Sequence, residues 1–151
     1  MPINDQEAFD RGDIDTDQEA LALCSWREAS DQGDDGMRAV QHIIMNRVGK
    51  PGFGKTIQEC IFGRNQFSSM SISTDPDFHR NPEPGDPQYA FCLTLAENIA
   101  TDPDLTNGAL WYANLRNVTS GWFERVISGP DGTGTADHPV LAKIGSHTFF
   151  A

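Results

Sequence analysis

Seven consecutive residues, Ala20-Leu21-Ala22-Leu23-Cys24-Ser25-Trp26, are apolar except for one serine. Folded as a helix, such a run is hydrophobic around its whole circumference and has to be buried on every side. Thr16-Asp17-Gln18-Glu19 comes before it, with Thr16 placed to cap the helix and Glu19 to reach back. Arg27 and Glu28 fall in the last turn, before Ser30-Asp31-Gln32-Gly33-Asp34-Asp35-Gly36 breaks the pattern. The rest of the chain must therefore wrap one central helix, and that helix ends on a carboxyl group.

A length of 151 residues supplies enough chain for one such core. Periodicity predicts a second helix from about Met37 to Val48, with Met37, Val40, Ile44 and Val48 on one face. Thr56 and Glu59 form another capping box for a short helix closed by Gly63. From Ser71 to Pro87 the chain is rich in Pro, Asp and Ser, a surface loop of the kind often attached to a binding cleft. Asp86-Pro87 then starts a third long helix through Ala100, cap followed by proline. Ala109 to Asn114 is short, aromatic and strand-like, and Ala142 to Phe150 reads as a hairpin around Gly145-Ser146. The expectation is an α+β, mostly helical single domain over 17–151 with a small β element, behind an acidic lead-in over 1–16.

Charge and cysteine usage remove several function classes. A net charge of −11 gives no broad basic face for phosphates, so nucleic acid is excluded as a partner. The same charge hinders non-specific approach to anionic membranes and polymers, and no run is long enough for a membrane span. Cys24, Cys60 and Cys92 are odd in number, lie far apart and form no CxxC pair, so they read as core. Met1 to Glu19 holds seven acids and one arginine, without the basic start and apolar stretch of a secretory signal. Its Asp13-Ile14-Asp15-Thr16-Asp17 string has Gln18 and Cys24 where a calcium loop needs Gly and Glu, and reads as a solvated approach to a helix N-terminus.

Helix geometry puts Leu21, Cys24, Ser25 and Glu28 on one stripe. Burial and the negative end of the helix dipole both raise the pKa expected for Glu28, and Arg27 points too far round the helix to offset them. A carboxyl group kept protonated near neutral pH can protonate a leaving oxygen, the general-acid step of glycoside cleavage.

The surrounding string carries a resemblance. Ser25-Trp26-Arg27-Glu28-Ala29-Ser30, then Gly36, then Ala39-Val40-Gln41-His42-Ile43-Ile44-Met45-Asn46-Arg47-Val48 resembles the spore-cortex lytic, or SleB/CwlJ-type, cell wall hydrolases. The match continues through Thr56-Ile57 with Cys60-Ile61, Gln66-Phe67-Ser68, Thr106 to Asn114, Trp122, and Ile144 to Phe150. It implies a lysozyme-like fold related to lytic transglycosylases, acting on peptidoglycan glycan strands between N-acetylmuramic acid and N-acetylglucosamine, with Glu28 as the catalytic carboxyl. Ser30 stands where the family often has Arg, and the loop from Ser71 to Pro87 looks particular to this chain.

Around Glu28, Phe67 and Ser68 are candidates to line a cleft, and His147 to touch substrate. Strand alternation should put only one of Trp111 and Tyr112 on the cleft side, with Tyr112 there and Trp111 in the core. Asn46 and Arg47 are expected to lock the C-terminal end of the second helix rather than contact sugar. Neither metal nor cofactor is implied, since His42, His79, His138 and His147 show no ligand spacing such as HExxH. A zinc amidase is thus a rival with little support; a lysozyme-type muramidase and an inactive glycan-binding or phage structural module are the others. With one matched carboxyl group, attack by the sugar's own C6 hydroxyl, leaving 1,6-anhydromuramyl ends, is the expected chemistry. The setting expected is a chain made in the bacterial cytoplasm and reaching the wall as a phage endolysin through a holin, or as an injected antibacterial effector accompanied by an immunity protein.

Overall fold

The computed structural model describes residues 16–63, 66–71 and 74–151, so the lead-in before Thr16 and its acidic string lie outside the described residues. Helix α1 (Asp17–Ala29) begins on Thr16, whose Oγ1 accepts from Glu19 N–H at 3.1 Å. From Ala20 to Ala29 every residue is buried except Glu28. Helices α2 (Gly33–Arg47), α3 (Ile57–Phe62), α4 (Ser68–Ser71) and α5 (Pro87–Glu97) surround it, and α2 and α5 pack against it most extensively. The core so formed joins Leu21, Cys24 and Trp26 of α1 to Met37, Val40 and Ile44 of α2, with Ile61 and Met70 beneath. All three cysteines are buried. Burial pushes the Cys92 thiol up to about 11, so it stays a neutral packing group.

A second layer is a three-stranded antiparallel sheet of β1 (Trp111–Ala113), β2 (Val140–Ile144) and β3 (His147–Phe150), in the order β1-β3-β2. β3 is buried along its length because it is the central strand, and its Phe149 meets Ala39 and Ile43 of α2. β1 pairs Tyr112 with Phe149, while a bulge between Val140 and Ala142 bends β2. The α+β architecture and the hairpin at Gly145-Ser146 are as expected from the sequence. Among the described residues no helix is long and apolar enough to cross a membrane.

Two boundaries differ from expectation. α2 starts at Gly33 rather than near Met37, after a 3₁₀ turn Ser30–Gln32. Gly33 accepts a φ of +77° that a side chain would resist, and Asp34 and Asp35 then suit the positive end of the helix. α5 stops at Glu97, short of Ala100, where Asn98 turns its side chain back to Thr94 O at 2.9 Å.

The segment from Ser71 to Pro87, described at Ser71 and from Thr74 onward, is largely exposed as expected and is pinned to the end of α1. Arg27 donates to Arg80 O at 2.9 Å and to Asn81 Oδ1 at 3.1 Å. Arg80 in turn lies over the Trp26 ring and donates to the carbonyls of Trp26 and Arg27, satisfying the end of α1. Phe78 is buried beneath it.

Gly36 links the helical and sheet layers. A Cβ there would stand 2.4 Å from Gln32 Cβ, and Gln32 Oε1 accepts the Ser146 N–H of the β2–β3 turn at 2.8 Å. Gly36→Ala should therefore destabilise by about 1–3 kcal/mol through overpacking, although Ala gains roughly 1 kcal/mol of helix propensity. Thermal melting should show a Tm lowered by several degrees. An unchanged or raised Tm would mean that Gln32 moves aside without cost.

Candidate active site

Glu28 is where the wrapped helix reaches open space. Its carboxyl group is held from two sides: Tyr112 of β1 donates its phenolic O–H to Oε1 at 2.5 Å, and Ser69 of α4 donates to Oε2 at 2.7 Å. Burial pushes the carboxyl above its ordinary pKa; the hydrogen bonds from Tyr112 and Ser69 pull it partly back, and the charges of Asp75 and Asp77 push it up again. The neighbouring Arg27 guanidinium is turned to Ser69 O, Arg80 O and Asn81. For Tyr112, burial and then the adjoining Glu28 hold the phenol well above its usual value, so it remains a neutral donor.

The carboxyl group opens on a cavity of about 980 Å³. Six aromatic side chains border it: Phe53, Phe67, Trp111, Tyr112, Trp122 and Phe123. Trp122 is 48% exposed at the rim, with its ring centroid 5.6 Å from that of Trp111. Flat apolar faces that remain wet on one side suit the carbon faces of sugar rings. Among the described lining residues Glu28 is the one carboxyl group and Arg47 the one cation.

The structure brings Glu28, Phe67 and Tyr112 together on this cavity. It does not bring Ser68 or His147 there. Ser68 is exposed and donates to Asp75, while Ser69, one step round the short helix, is the serine that reaches Glu28. His147 is buried behind Tyr112, ring centroids 5.1 Å apart, and burial lowers its pKa against the opposing charge of Asp31. Its contact is with the back of the tyrosine, and Phe149 stacks on the same ring at 5.7 Å.

Trp111 is not a core residue. β1 is an edge strand, so the cavity runs along its open side and is bordered by Trp111, Tyr112 and Ala113 in succession. Alternation separates side chains across a sheet's faces, but it does not say which residues a cleft running along the edge will touch. Asn46 locks the end of α2 as expected, donating to Asp104 Oδ2 at 2.9 Å and Ala109 O at 3.0 Å. Arg47 does more than lock it. Its Nε donates to Leu110 O at 2.7 Å, yet the guanidinium also lines the cavity, 4.6 Å from the Phe53 ring centroid, 5.4 Å from Phe67 and 5.5 Å from Trp111. Among the described residues no group of three His, Cys, Asp or Glu side chains is placed to hold a metal ion.

Comparison with known proteins places these features in a family setting. The model of the cell wall hydrolase family matches residues 31–150, a span that begins just after Glu28. The spore cortex-lytic enzyme of Halalkalibacterium halodurans is 26% identical over 138 residues, 91% of this chain and 36% of that protein, so the chain spans about a third of its length. Two solved structures are similar, each 25% identical. The catalytic domain of the Bacillus cereus SleB protein has a TM-score of 0.64 with 89% of both chains covered. The catalytic domain of the germination-specific lytic transglycosylase SleB from Bacillus anthracis has a TM-score of 0.65, covering 89% of this chain and 93% of that one.

A carboxyl group whose pKa folding raises costs stability wherever it must ionise. Below the unfolded value, where both states are protonated, Glu28 exacts nothing; as pH rises through the folded value the cost is reached in full. Glu28→Gln should thus raise Tm at pH 7 and leave it nearly unchanged near pH 4. Tyr112→Phe, which removes a hydrogen bond to the carboxylate, should move the Glu28 titration higher still in an NMR-detected pH series. Equal effects of Glu28→Gln on Tm at both pH values would show that the carboxyl is not held above its ordinary pKa.

Proposed function

The chain belongs to the cell wall hydrolase family, and from that premise we propose that it cleaves peptidoglycan glycan strands between N-acetylmuramic acid and N-acetylglucosamine as a lytic transglycosylase. The observation that carries this reading is a single carboxyl group, raised in pKa and hydrogen-bonded by Tyr112 and Ser69, at the bottom of an aromatic-walled cavity. Protonated Glu28 gives its proton to the glycosidic oxygen as the bond to C1 breaks and oxocarbenium character develops on the muramyl ring. As a carboxylate it then takes the proton of that ring's C6 hydroxyl, whose oxygen attacks C1. The product is a 1,6-anhydromuramyl end, with Glu28 protonated again.

Hydrolysis with either stereochemical outcome generally calls for a second carboxylate across the scissile bond. Asp75 and Asp77 act on Glu28 through space but do not line the cavity, and Asp31, which is exposed, does not line it either. Intramolecular attack by a tethered hydroxyl needs no such partner and gains from proximity. The similar Bacillus anthracis domain is that of a lytic transglycosylase, which supports the same chemistry. Because peptidoglycan lies outside the cytoplasmic membrane, delivery belongs to the proposal: release through a holin as an endolysin, or injection as an effector with an immunity protein in the producing cell.

Glu28→Gln should lower the rate of peptidoglycan solubilisation by roughly 10²–10⁴-fold, the usual loss for a general acid, while Glu59→Gln leaves it nearly intact. Mass spectrometry of the digest should find anhydromuramyl ends. Reducing muramic acid ends throughout would make the chain a muramidase, released stem peptides with intact glycan would make it an amidase, and binding without cleavage an inactive module. Delivery is read separately: expression in the cytoplasm should leave cells intact, and export to the periplasm should lyse them. Lysis from within the cytoplasm would end the requirement for a delivery route.

A further inference from the structure

Arg47 carries a charge that no described carboxylate pairs with directly, although Glu28 acts on it through space. The residue is 6% exposed and lines the cavity that holds Glu28. Burying a cation is costly unless it is paired. With 22 acidic residues against 11 Lys and Arg, the chain has no shortage of carboxylates. Among the described residues none lies within ion-pair distance of this guanidinium. Compensation comes instead from the faces of Phe53, Phe67 and Trp111, and from two neutral acceptors, Leu110 O at 2.7 Å and Gln66 Oε1 at 3.3 Å. Nε and Nη1 are engaged, and Nη2 has no hydrogen-bond partner among the described residues. Glu28, the one carboxyl among the described lining residues, is already bonded to Tyr112 and Ser69. Tying α2 to β1 needs only the bond to Leu110. It does not need a fixed positive charge facing a cavity, so the charge itself remains to be explained.

On a glycan strand of peptidoglycan, the lactyl group of muramic acid is the substituent that can carry an opposite charge next to the ring. While a stem peptide is attached, its carbonyl is a neutral amide; once the peptide has been removed, it is a carboxylate. We propose that Arg47, assisted by Gln66, is a specificity-determining residue that binds the free lactyl carboxylate of peptide-stripped muramyl units. The inference rests on the glycan-cleaving reading and adds a place in a sequence of reactions: hydrolysis of the lactyl amide, an amidase reaction, supplies the preferred substrate. A buried guanidinium with Nη2 unengaged among the described residues, facing an aromatic-walled cavity, is an arrangement in which Arg discriminates an anion from an isosteric neutral group.

The test compares soluble glycan strands stripped of peptide with the same strands after carbodiimide coupling to methylamine, which neutralises the lactyl carboxylate with little added bulk. Wild-type kcat/KM should be higher on the free acid by roughly tenfold or more, the value of a buried charge-assisted hydrogen bond. Arg47→Gln should bring the two strands to within about twofold of each other, and Arg47→Lys should retain part of the preference. If either variant fails to fold, as judged by its melting curve, the wild-type comparison stands without it. Equal wild-type rates on the two strands, or faster cleavage of strands that retain their peptides, would overturn the proposal. Calorimetric binding of Glu28→Gln protein to the same strands separates the two readings. Tighter binding of the free acid by a wild type that cuts nothing would overturn the cleavage reading and keep this one, and equal binding would overturn this one alone.

Discussion

Wrapping a helix that is apolar on all sides is the requirement from which the architecture follows. Because α1 cannot show a face to water, α2, α3, α4 and α5 are arranged around it, and the chain between α4 and α5 closes its end. Buried carbonyls at a helix terminus need donors, and Arg80 supplies them from a segment rich in Pro and Asp. The consequence for chemistry is economical. From Ala20 to Ala29, α1 is covered except at one position, and that position carries the acid. Desolvation of Glu28 is thus a by-product of how the core is built, and no separate device is needed to raise its pKa.

Much of this can be read from residues alone. The apolar run and its cap define α1 to within a residue; Glu28 stands out in its last turn, and the family string is what singles it out. Phe67 and Tyr112 are legible through the family string. What escapes depends on geometry finer than a pattern. Choosing between Ser68 and Ser69 is a matter of about 100° of rotation on a single helical turn, and nothing in the local sequence sets its phase. Trp111 is misjudged because strand alternation describes faces, and the cavity lies along an edge. Asn46 and Arg47 are adjacent and polar at a helix end, the usual setting for a lock; only the tertiary placement of Phe53, Phe67 and Trp111 separates their roles.

The cavity's surface is unlike that of the protein around it. A chain of charge −11 repels anionic polymers at a distance of a Debye length or so, about 8 Å at physiological salt. Inside, the lining is aromatic, and its described residues include one buried cation and one acid whose pKa burial raises. On the proposed glycan-cleaving reading, long-range forces therefore do little to hold a wall polymer, and contact with the aromatic faces of Trp111 and Trp122 and with Arg47 would supply the attraction. Such a surface binds at short range or not at all.

Both groups that hold Glu28 are hydroxyls, and this has a kinetic consequence. An amide N–H or a guanidinium has a fixed polarity; it donates, and it cannot accept the O–H of the protonated carboxyl. A Ser or Tyr O–H can turn about its C–O bond, donating to a carboxylate at one moment and accepting from a carboxylic acid at the next. The heavy atoms of Ser69, Glu28 and Tyr112 can then keep their positions through a complete proton cycle, with only hydrogens changing place. Such a clasp is indifferent to the charge of what it holds, so loss and recovery of the proton entail little rearrangement of the surrounding protein.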